Sequence, residues 1–144
     1  MIFEAFFKGD SIFINAHLIS SALKIDETIE FLIDTGASRT TLLDRDAIFL
    51  GVNYNKIPKY KQQVSGIGGT VETHSIPDAS LIIKSGDYRK NFSMPVLVVR
   101  HPFEKMNETE RIRILRLPSI LGRDILNQFR LIYDNPKKLS YLET

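Results

Sequence analysis

The residues best suited to chemistry in this sequence are Asp34, Thr35 and Gly36, which directly follow the apolar run Phe31–Ile33. The run predicts a strand, so the acidic residue stands where a strand ends. A carboxyl group at such a point is partly sheltered and is a candidate for general acid or base catalysis. Thr35 offers a hydroxyl for a structural hydrogen bond, and Gly36 permits a tight turn. The alternative interpretation is an ordinary strand-to-turn junction, in which Asp-Thr-Gly is common.

A second pattern lies near the C-terminus, where Ile120 and Leu121 precede Gly122, Arg123 and Asp124. A glycine between a predicted strand and a predicted helix marks a place where backbone passes close to another part of the chain. Taken alone, the pattern favours a simple strand-to-helix connection.

A third pattern is the glycine-rich segment from Val64 to Gly69, which predicts the tip of a β-hairpin. It places one apolar residue among three glycines: Gly66, Ile67, Gly68 and Gly69. A phosphate-binding loop is excluded because no Lys-Ser/Thr follows, and Val71 stands where the dinucleotide fingerprint needs glycine. A plain hairpin fits the segment as well as a functional one does.

Composition removes several other kinds of chemistry. The chain has no cysteine, which excludes disulfides, thiolate metal sites and a cysteine nucleophile. Its three histidines, His17, His74 and His101, lack the spacing of metal ligands. No Gly-x-Ser-x-Gly is present, and a net charge of +2 gives no argument for nucleic acid. We therefore expect no metal, no cofactor and no nucleic-acid partner.

The elements that would position these residues are mostly short strands with turn signals between them. Two short helices are predicted, over Leu42–Leu50 with Gly51 at its end, and over Gly122–Phe129. The segment from Arg100 to Arg111 predicts a surface loop or a poorly formed helix. Strands are predicted at Ser11–Ile19, Thr28–Ile33, Tyr60–Val64, Thr70–Ile76, Leu81–Ile83, Pro95–Val99, Ile112–Leu117, Arg130–Tyr133 and Leu139–Leu142.

The 144 residues, 43% hydrophobic and 25% charged, suit one globular domain spanning residues 1–144. The strand pattern predicts a mainly β, sandwich-like or barrel-like architecture with two small helices. No apolar run is long enough to span a membrane, so no membrane partner is expected. Glu4 and Lys8 interrupt the apolar N-terminus before a signal peptide would be complete, and we expect a cytoplasmic protein.

Together, Asp34–Ala37, Gly66–Gly69 and Ile120–Asp124 resemble the ordered pattern of the retroviral-type, retropepsin-like aspartic proteases. The resemblance runs from about Thr28 to Phe129. It implies a closed β-barrel-like acid protease single lobe with one or two short helices, active as a twofold dimer. Asp34 would activate a water, the glycine-rich hairpin would close as a flap, and the Gly122 segment would support the Asp34 loop.

The resemblance also implies roles for individual residues, position by position. Asp34 would be catalytic, with Thr35, Gly36, Gly122 and Arg123 as active-site support. Residues that bind the substrate backbone or line its side-chain pockets would be Ala37, Ser38, Thr41, Val64, Gly66, Ile67, Gly68, Gly69 and Ile120.

The chain departs from the family pattern in three places, one of which is the stretch from Arg100 to Arg111, which is longer than viral members lead us to expect. Viral members carry acidic residues after the alanine, one of which pairs with the helix arginine, whereas this chain has Ser38 and Arg39. The partner of Arg123 is therefore open. Arg39 at the cleft edge would either favour acidic substrates or be a solvated rim charge. The terminal strands that hold viral dimers together are not recognisable, so the dimer interface is expected to be built differently.

The sequence contains a single Asp-Thr-Gly and is about half as long as a two-lobed enzyme. A homodimer supplies the second carboxylate without any further sequence. We therefore expect an aspartic endopeptidase that acts on polypeptides through an Asp34 pair at the homodimer interface. The alternative is a non-catalytic dimer of the same fold that captures extended peptides by strand addition.

Overall fold

The computed structural model describes residues 1–61 and 71–144, and most of its elements are short strands. The strands are β1 (Ile2–Glu4), β2 (Phe6–Lys8), β3 (Ser11–Ser20), β4 (Ile25–Ile33), β5 (Thr41–Leu42), β6 (Glu72–Ile76), β7 (Ser80–Ser85), β8 (Tyr88–Ser93), β9 (Val96–Arg100), β10 (Ser119–Leu121), β11 (Arg130–Asp134) and β12 (Leu139–Glu143). The α-helices are α1 (Asp44–Leu50), α2 (Glu108–Leu115) and α3 (Arg123–Leu126), and short 3-10 turns lie at Tyr54–Lys56 and Phe103–Lys105.

Among the described residues, most strands form one large curled sheet in the order β6-β9-β5-β10-β4-β3-β7-β8, with β2 also paired to β3. A separate antiparallel sheet contains β1, β12 and β11 in that order. The curled sheet wraps a core of aliphatic and aromatic side chains that are almost completely buried, including Phe3, Ile14, Leu18, Phe31, Leu81, Leu121 and Ile125. Burying each such side chain contributes about 1.5–3 kcal/mol relative to leaving it in water. The result is a mainly β fold with three short α-helices among the described residues.

Three neighbouring strands position the candidate site. β4 and β10 run parallel, with Leu32 opposite Ile120 and Ile33 opposite Leu121. β10 also pairs with β5, where Ile120 lies opposite Thr41. Because β4 and β10 run in the same direction, the loops that leave them meet at one edge of the sheet, and each of the two loops carries one of the sequence patterns.

Most of the strands predicted within the described residues are confirmed, and the strand predicted over Tyr60–Val64 lies mostly outside them. The strand predicted over Ile112–Leu117 is wrong, because these residues belong largely to α2. The side chain of Asn107 accepts a hydrogen bond from the Glu110 amide at 2.9 Å and caps the helix. Glu108 lies in the first turn of α2, where an acidic side chain interacts favourably with the helix dipole. The β-branched isoleucines suggested a strand, yet this cap decides the local structure.

The two predicted helices are present in shortened form. α1 begins at Asp44 because Leu42 is held in β5, and it ends as predicted at Gly51, which has φ 65°. The second helix is only α3, four residues long. Strand β8 was not predicted because its sequence is polar, with only Phe92 buried. In the part of the chain that the structure covers, no helix has the length and apolar character to cross a membrane.

Candidate active site

Asp34 is the first residue after β4, and backbone hydrogen bonds fix its position. Its amide donates to the carbonyl of Leu121 at 3.1 Å, and its own carbonyl accepts from the Ala37 amide at 3.2 Å. The carboxylate is partly exposed, and its Oδ1 accepts a hydrogen bond from the Gly36 amide at 2.9 Å. The strand-to-turn junction predicted from the sequence therefore presents an oriented carboxylate at the surface.

The residues of the predicted turn have distinct environments. A β-carbon on Gly36 would lie 3.2 Å from Asp34 Oδ1, so the missing side chain leaves room for the carboxylate. Thr35 and Ser38 are exposed, and Ala37 is half-buried. All four residues follow Asp34 directly in the chain.

The Gly122 segment packs directly against the residues that follow Asp34. A β-carbon on Gly122 would lie only 2.7 Å from the carbonyl carbon of Arg39, closer than real β-carbons come to backbone. The next two amides complete the contact: Arg123 donates to the Ala37 carbonyl at 2.8 Å, and Asp124 donates to the Ser38 carbonyl at 3.2 Å. Two loops that are far apart in the sequence thus form one rigid unit.

The structure identifies a partner for Arg123. Its guanidinium Nη1 donates to the carbonyl of Thr35 at 2.8 Å. With Ser38 in place of an acidic residue, the arginine binds a backbone carbonyl of the Asp34 turn. It supports the turn without an ion pair at that contact.

A buried network behind the turn was not predicted from the sequence. Thr40 is completely buried, and its amide and hydroxyl donate to the two carboxylate oxygens of Asp124 at 2.9 and 2.7 Å. The Thr40 hydroxyl also accepts from the Gly122 amide at 3.1 Å. The sequence does show Asp124 next to Arg123, but it gives no indication that the Asp124 side chain faces inward to Thr40.

Thr41 and Ile120, the predicted pocket residues of the described region, are paired neighbours on β5 and β10. Thr41 is buried and its hydroxyl donates to the Arg39 carbonyl at 3.0 Å, whereas Ile120 keeps part of its surface exposed. Ile120 is therefore the better placed of the two to contact a ligand.

The predicted hairpin tip, comprising Val64, Gly66, Ile67, Gly68 and Gly69, lies outside the described residues, and its role as a flap stays a prediction. The residues that precede it in the chain are described. Lys59 forms an isolated antiparallel β-bridge with His74, and the Tyr60 amide donates to the Thr73 carbonyl at 2.8 Å. Tyr60 is thus held against the segment that leads into β6.

The chain matches the family model of the retroviral aspartyl protease over residues 14–132. It is similar to the crystal structure of a retropepsin-like aspartic protease from Rickettsia conorii, with 23% identity, a TM-score of 0.57 and coverage of 99% of this chain and 88% of that one. It is also similar to the EIAV protease complexed with the inhibitor HBY-793, with 23% identity, a TM-score of 0.47 and coverage of 81% and 85% respectively. A search of curated proteins gave no match.

The structural similarity to the Rickettsia conorii protein concerns the fold, and the family match covers most of the 144 residues. The matched range contains both β4 with its Asp-Thr-Gly turn and β10 with the Gly122 segment. The chain belongs to the retroviral aspartyl protease family.

Proposed function

We propose that the protein is an aspartic endopeptidase in which Asp34 of one chain and Asp34 of a second copy together activate the attacking water. The observation that carries the proposal is the partly exposed Asp34 carboxylate, which accepts from the Gly36 amide while the backbone amide of Asp34 donates to the Leu121 carbonyl. A carboxylate fixed by backbone contacts keeps its geometry when a substrate approaches, as general acid–base catalysis requires.

The chemistry needs two carboxyl groups that share one proton. The ionised group takes a proton from water, and the neutral group donates a hydrogen bond to the carbonyl of the scissile peptide. The chain contains only one Asp-Thr-Gly, so a second copy related by a twofold axis is the economical source of the partner. Activity against pH should then be bell-shaped, because the pair loses function when it carries two protons or none.

The surface beside Asp34 supports the presence of a second copy. A groove of ≈ 390 Å³ opens next to Thr35, and its lining includes Leu32, Leu131 and the half-exposed Tyr133. The nearby three-stranded sheet has β1 and β11 at its edges, and edge strands offer unpaired backbone groups to another chain. Because β1 pairs with β12 of its own chain, the dimer contact would use this complete small sheet and the groove beside it.

In this proposal the substrate lies across the two Asp34 turns. Thr35, Gly36, Gly122 and Arg123 keep the turn rigid through the contacts described above. Substrate backbone and side chains would meet Ala37, Ser38, Thr41 and Ile120, together with the predicted hairpin residues Val64, Gly66, Ile67, Gly68 and Gly69. A substrate that lies across two such turns would be an extended polypeptide.

The first experiment compares Asp34→Asn with the wild type on a peptide library. Asparagine keeps the shape and the contact with Gly36 but cannot ionise, so we expect cleavage to disappear with little change in melting temperature. Asp87→Asn, which changes an exposed turn carboxylate, is the matched control and should keep full activity. Peptide binding without cleavage by the wild type would favour the non-catalytic dimer.

The second experiment tests the pair itself by mixing chains. Adding an equal amount of Asp34→Asn protein should lower the activity per wild-type chain roughly twofold, because about half of the wild-type chains then sit in mixed dimers that lack one carboxylate. Analytical ultracentrifugation measures the dimer fraction in the same samples. Activity that is indifferent to the added chain would contradict a shared site.

A further inference from the structure

The side chain of Arg39 joins three separate parts of the chain. Its Nε lies 3.5 Å from Asp124 Oδ2, its Nη1 donates to the Tyr60 hydroxyl at 3.2 Å, and its Nη2 donates to the Pro95 carbonyl at 3.4 Å. The guanidinium carbon also lies 5.6 Å from the centre of the Tyr60 ring. These contacts make Arg39 a fixed group and not a freely solvated rim charge.

One end of this linkage leads to the catalytic turn. Asp124, the ionic partner of Arg39, also binds the amide and hydroxyl of buried Thr40, whose hydroxyl accepts from the Gly122 amide. The backbone of Arg39 itself lies against Gly122. Any movement of the guanidinium is therefore transmitted to the same residues that hold the Asp34 turn.

The other end of the linkage leads to Tyr60, which precedes β6 in the chain. The Tyr60 amide donates to the Thr73 carbonyl, just before His74 pairs with Val98 of β9. Pro95, which accepts from Arg39, directly precedes β9. Through these two hydrogen bonds the guanidinium holds Tyr60 and the residue before β9 close to the segment that follows Asp34.

Arginine suits this role better than any other cation. Its planar guanidinium carries five donors in a fixed arrangement and also stacks on aromatic rings, whereas lysine offers one compact charge on a flexible stem. The carboxylate of Asp124 balances the positive charge of Arg39, and both side chains are at least partly buried. A guanidinium whose charge is balanced by Asp124 and whose three nitrogens each have a contact is poorly placed to select acidic substrate residues.

We propose that Arg39 is a positioning residue that holds Tyr60 against the Asp34 turn and so shapes the wall of the substrate cleft. The inference rests on the proposed function. It assigns Arg39 to peptide binding and not to the chemical step, because its contacts among the described residues are with Asp124, Tyr60 and Pro95 and not with the Asp34 carboxylate. Loss of the linkage should therefore raise KM and leave kcat nearly unchanged.

The experiment measures kcat and KM for Arg39→Lys, Tyr60→Phe and the double variant on two peptides that differ only by a neutral or an acidic residue. We expect Arg39→Lys to raise KM roughly tenfold on both peptides while kcat stays within about twofold. Tyr60→Phe, which removes only the hydroxyl, should raise KM less. The double variant should resemble Arg39→Lys, because the Tyr60 hydroxyl is expected to act through its hydrogen bond with Arg39.

Arg89→Lys on the exposed strand β8 is the matched control and should behave as the wild type does. A KM for Arg39→Lys equal to that of the wild type would overturn the positioning role, as would additive effects of the two substitutions. An effect confined to the acidic peptide would instead assign Arg39 to charge recognition. An inactive wild type would refute the proposed function, and this outcome is distinct from the others because it appears before any variant is compared.

Discussion

Gly122 lies in direct contact with the backbone of Arg39: a β-carbon on Gly122 would be 2.7 Å from the Arg39 carbonyl carbon and 2.9 Å from its nitrogen and oxygen. The φ of Gly122 is −98°, an angle that any residue adopts. The glycine is therefore needed for space and not for backbone freedom. This contact brings the loop after β10 within hydrogen-bonding distance of the Asp34 turn.

Replacing Gly122 by alanine should separate the two loops. The added methyl meets backbone atoms that cannot move aside cheaply, so we expect a loss of about 1–3 kcal/mol in the free energy of unfolding. Activity should fall by more than this loss explains, because the Asp34 turn shifts with the loop. Chemical denaturation and kcat/KM measured on the same sample check both effects.

Gly86→Ala provides the comparison, since Gly86 has open space around it and only a positive φ of 59° to resist the substitution. It should cost about 0.5–1 kcal/mol or somewhat more, with no effect on activity. If Gly122→Ala is as harmless to activity as Gly86→Ala, the close approach of the loops is not important for catalysis.

Replacing Thr40 by valine should lower the free energy of unfolding, because Thr40 belongs to the buried network next to the Asp34 turn. Valine keeps the shape but removes the hydroxyl that binds Asp124 Oδ1 and accepts from the Gly122 amide. Leaving buried groups without a partner costs about 1–3 kcal/mol, and we expect the free energy of unfolding to fall by that amount. Thr28→Val, at an exposed position, should change stability by less than about 0.5 kcal/mol. Equal effects of the two variants in urea titrations would contradict the importance of the buried network.

The strand and turn around Asp34 could be predicted from the sequence because local residue types favour them. An apolar run followed by Asp34, Thr35 and Gly36 indicates a strand and a tight turn, although contacts with Leu121 and the Gly122 segment hold that turn in the fold. The same holds for the end of α1 at Gly51, which requires a positive φ. Signals of this kind depend on residues that are adjacent in the chain, so they can be recognised from the sequence.

The network around Thr40 and Asp124 could not be predicted in the same way, because these residues are far apart in the chain and meet only when β4 and β10 pair. The same limit applies to Arg39, whose three partners come from three segments. The mistaken strand over Ile112–Leu117 has another cause. Its β-branched residues dominated the pattern, whereas the cap at Asn107 determined the structure.

The buried pair of Asp44 and His101 should contribute strongly to the stability of the fold. Asp44 accepts from the His101 amide at 2.9 Å and from its Nδ1 at 2.5 Å, and both residues are at most 3% exposed. Asp44→Ala should lower the free energy of unfolding by about 3–5 kcal/mol, because it leaves buried polar groups without a partner.

An exposed carboxylate–histidine pair in the same chain is the natural control for this prediction. His17 pairs with Asp26, whose side chain is 77% exposed. Asp26→Ala should therefore cost less than about 1 kcal/mol. Thermal unfolding of the two variants gives the comparison, and similar costs would show that burial adds little to the Asp44 contact.

The acid limb of stability should depend on Asp78. The backbone amide of Ala22, 2.9 Å from Asp78 Oδ2, is the main reason that the pKa of this carboxyl lies below its usual value. Partial burial opposes the shift, and the Ser20 hydroxyl at 2.7 Å adds to it. Because the pKa is lower in the folded than in the unfolded state, Asp78 stabilises the fold at pH values above the unfolded pKa, near 3.9. This stabilisation is lost as pH falls through the folded-state pKa.

Asp78→Asn removes the ionised form, so the wild type should be more stable than the variant at pH 6–7, with the difference shrinking below about pH 4. Since Asp78 is exposed, we expect the difference at neutral pH to be modest, at most about 1 kcal/mol. Urea unfolding at intervals from pH 7 to pH 3 measures it, with Asp87→Asn as the exposed control. A stability difference that stays constant over this range would mean that the contact with Ala22 does not depend on the charge of Asp78.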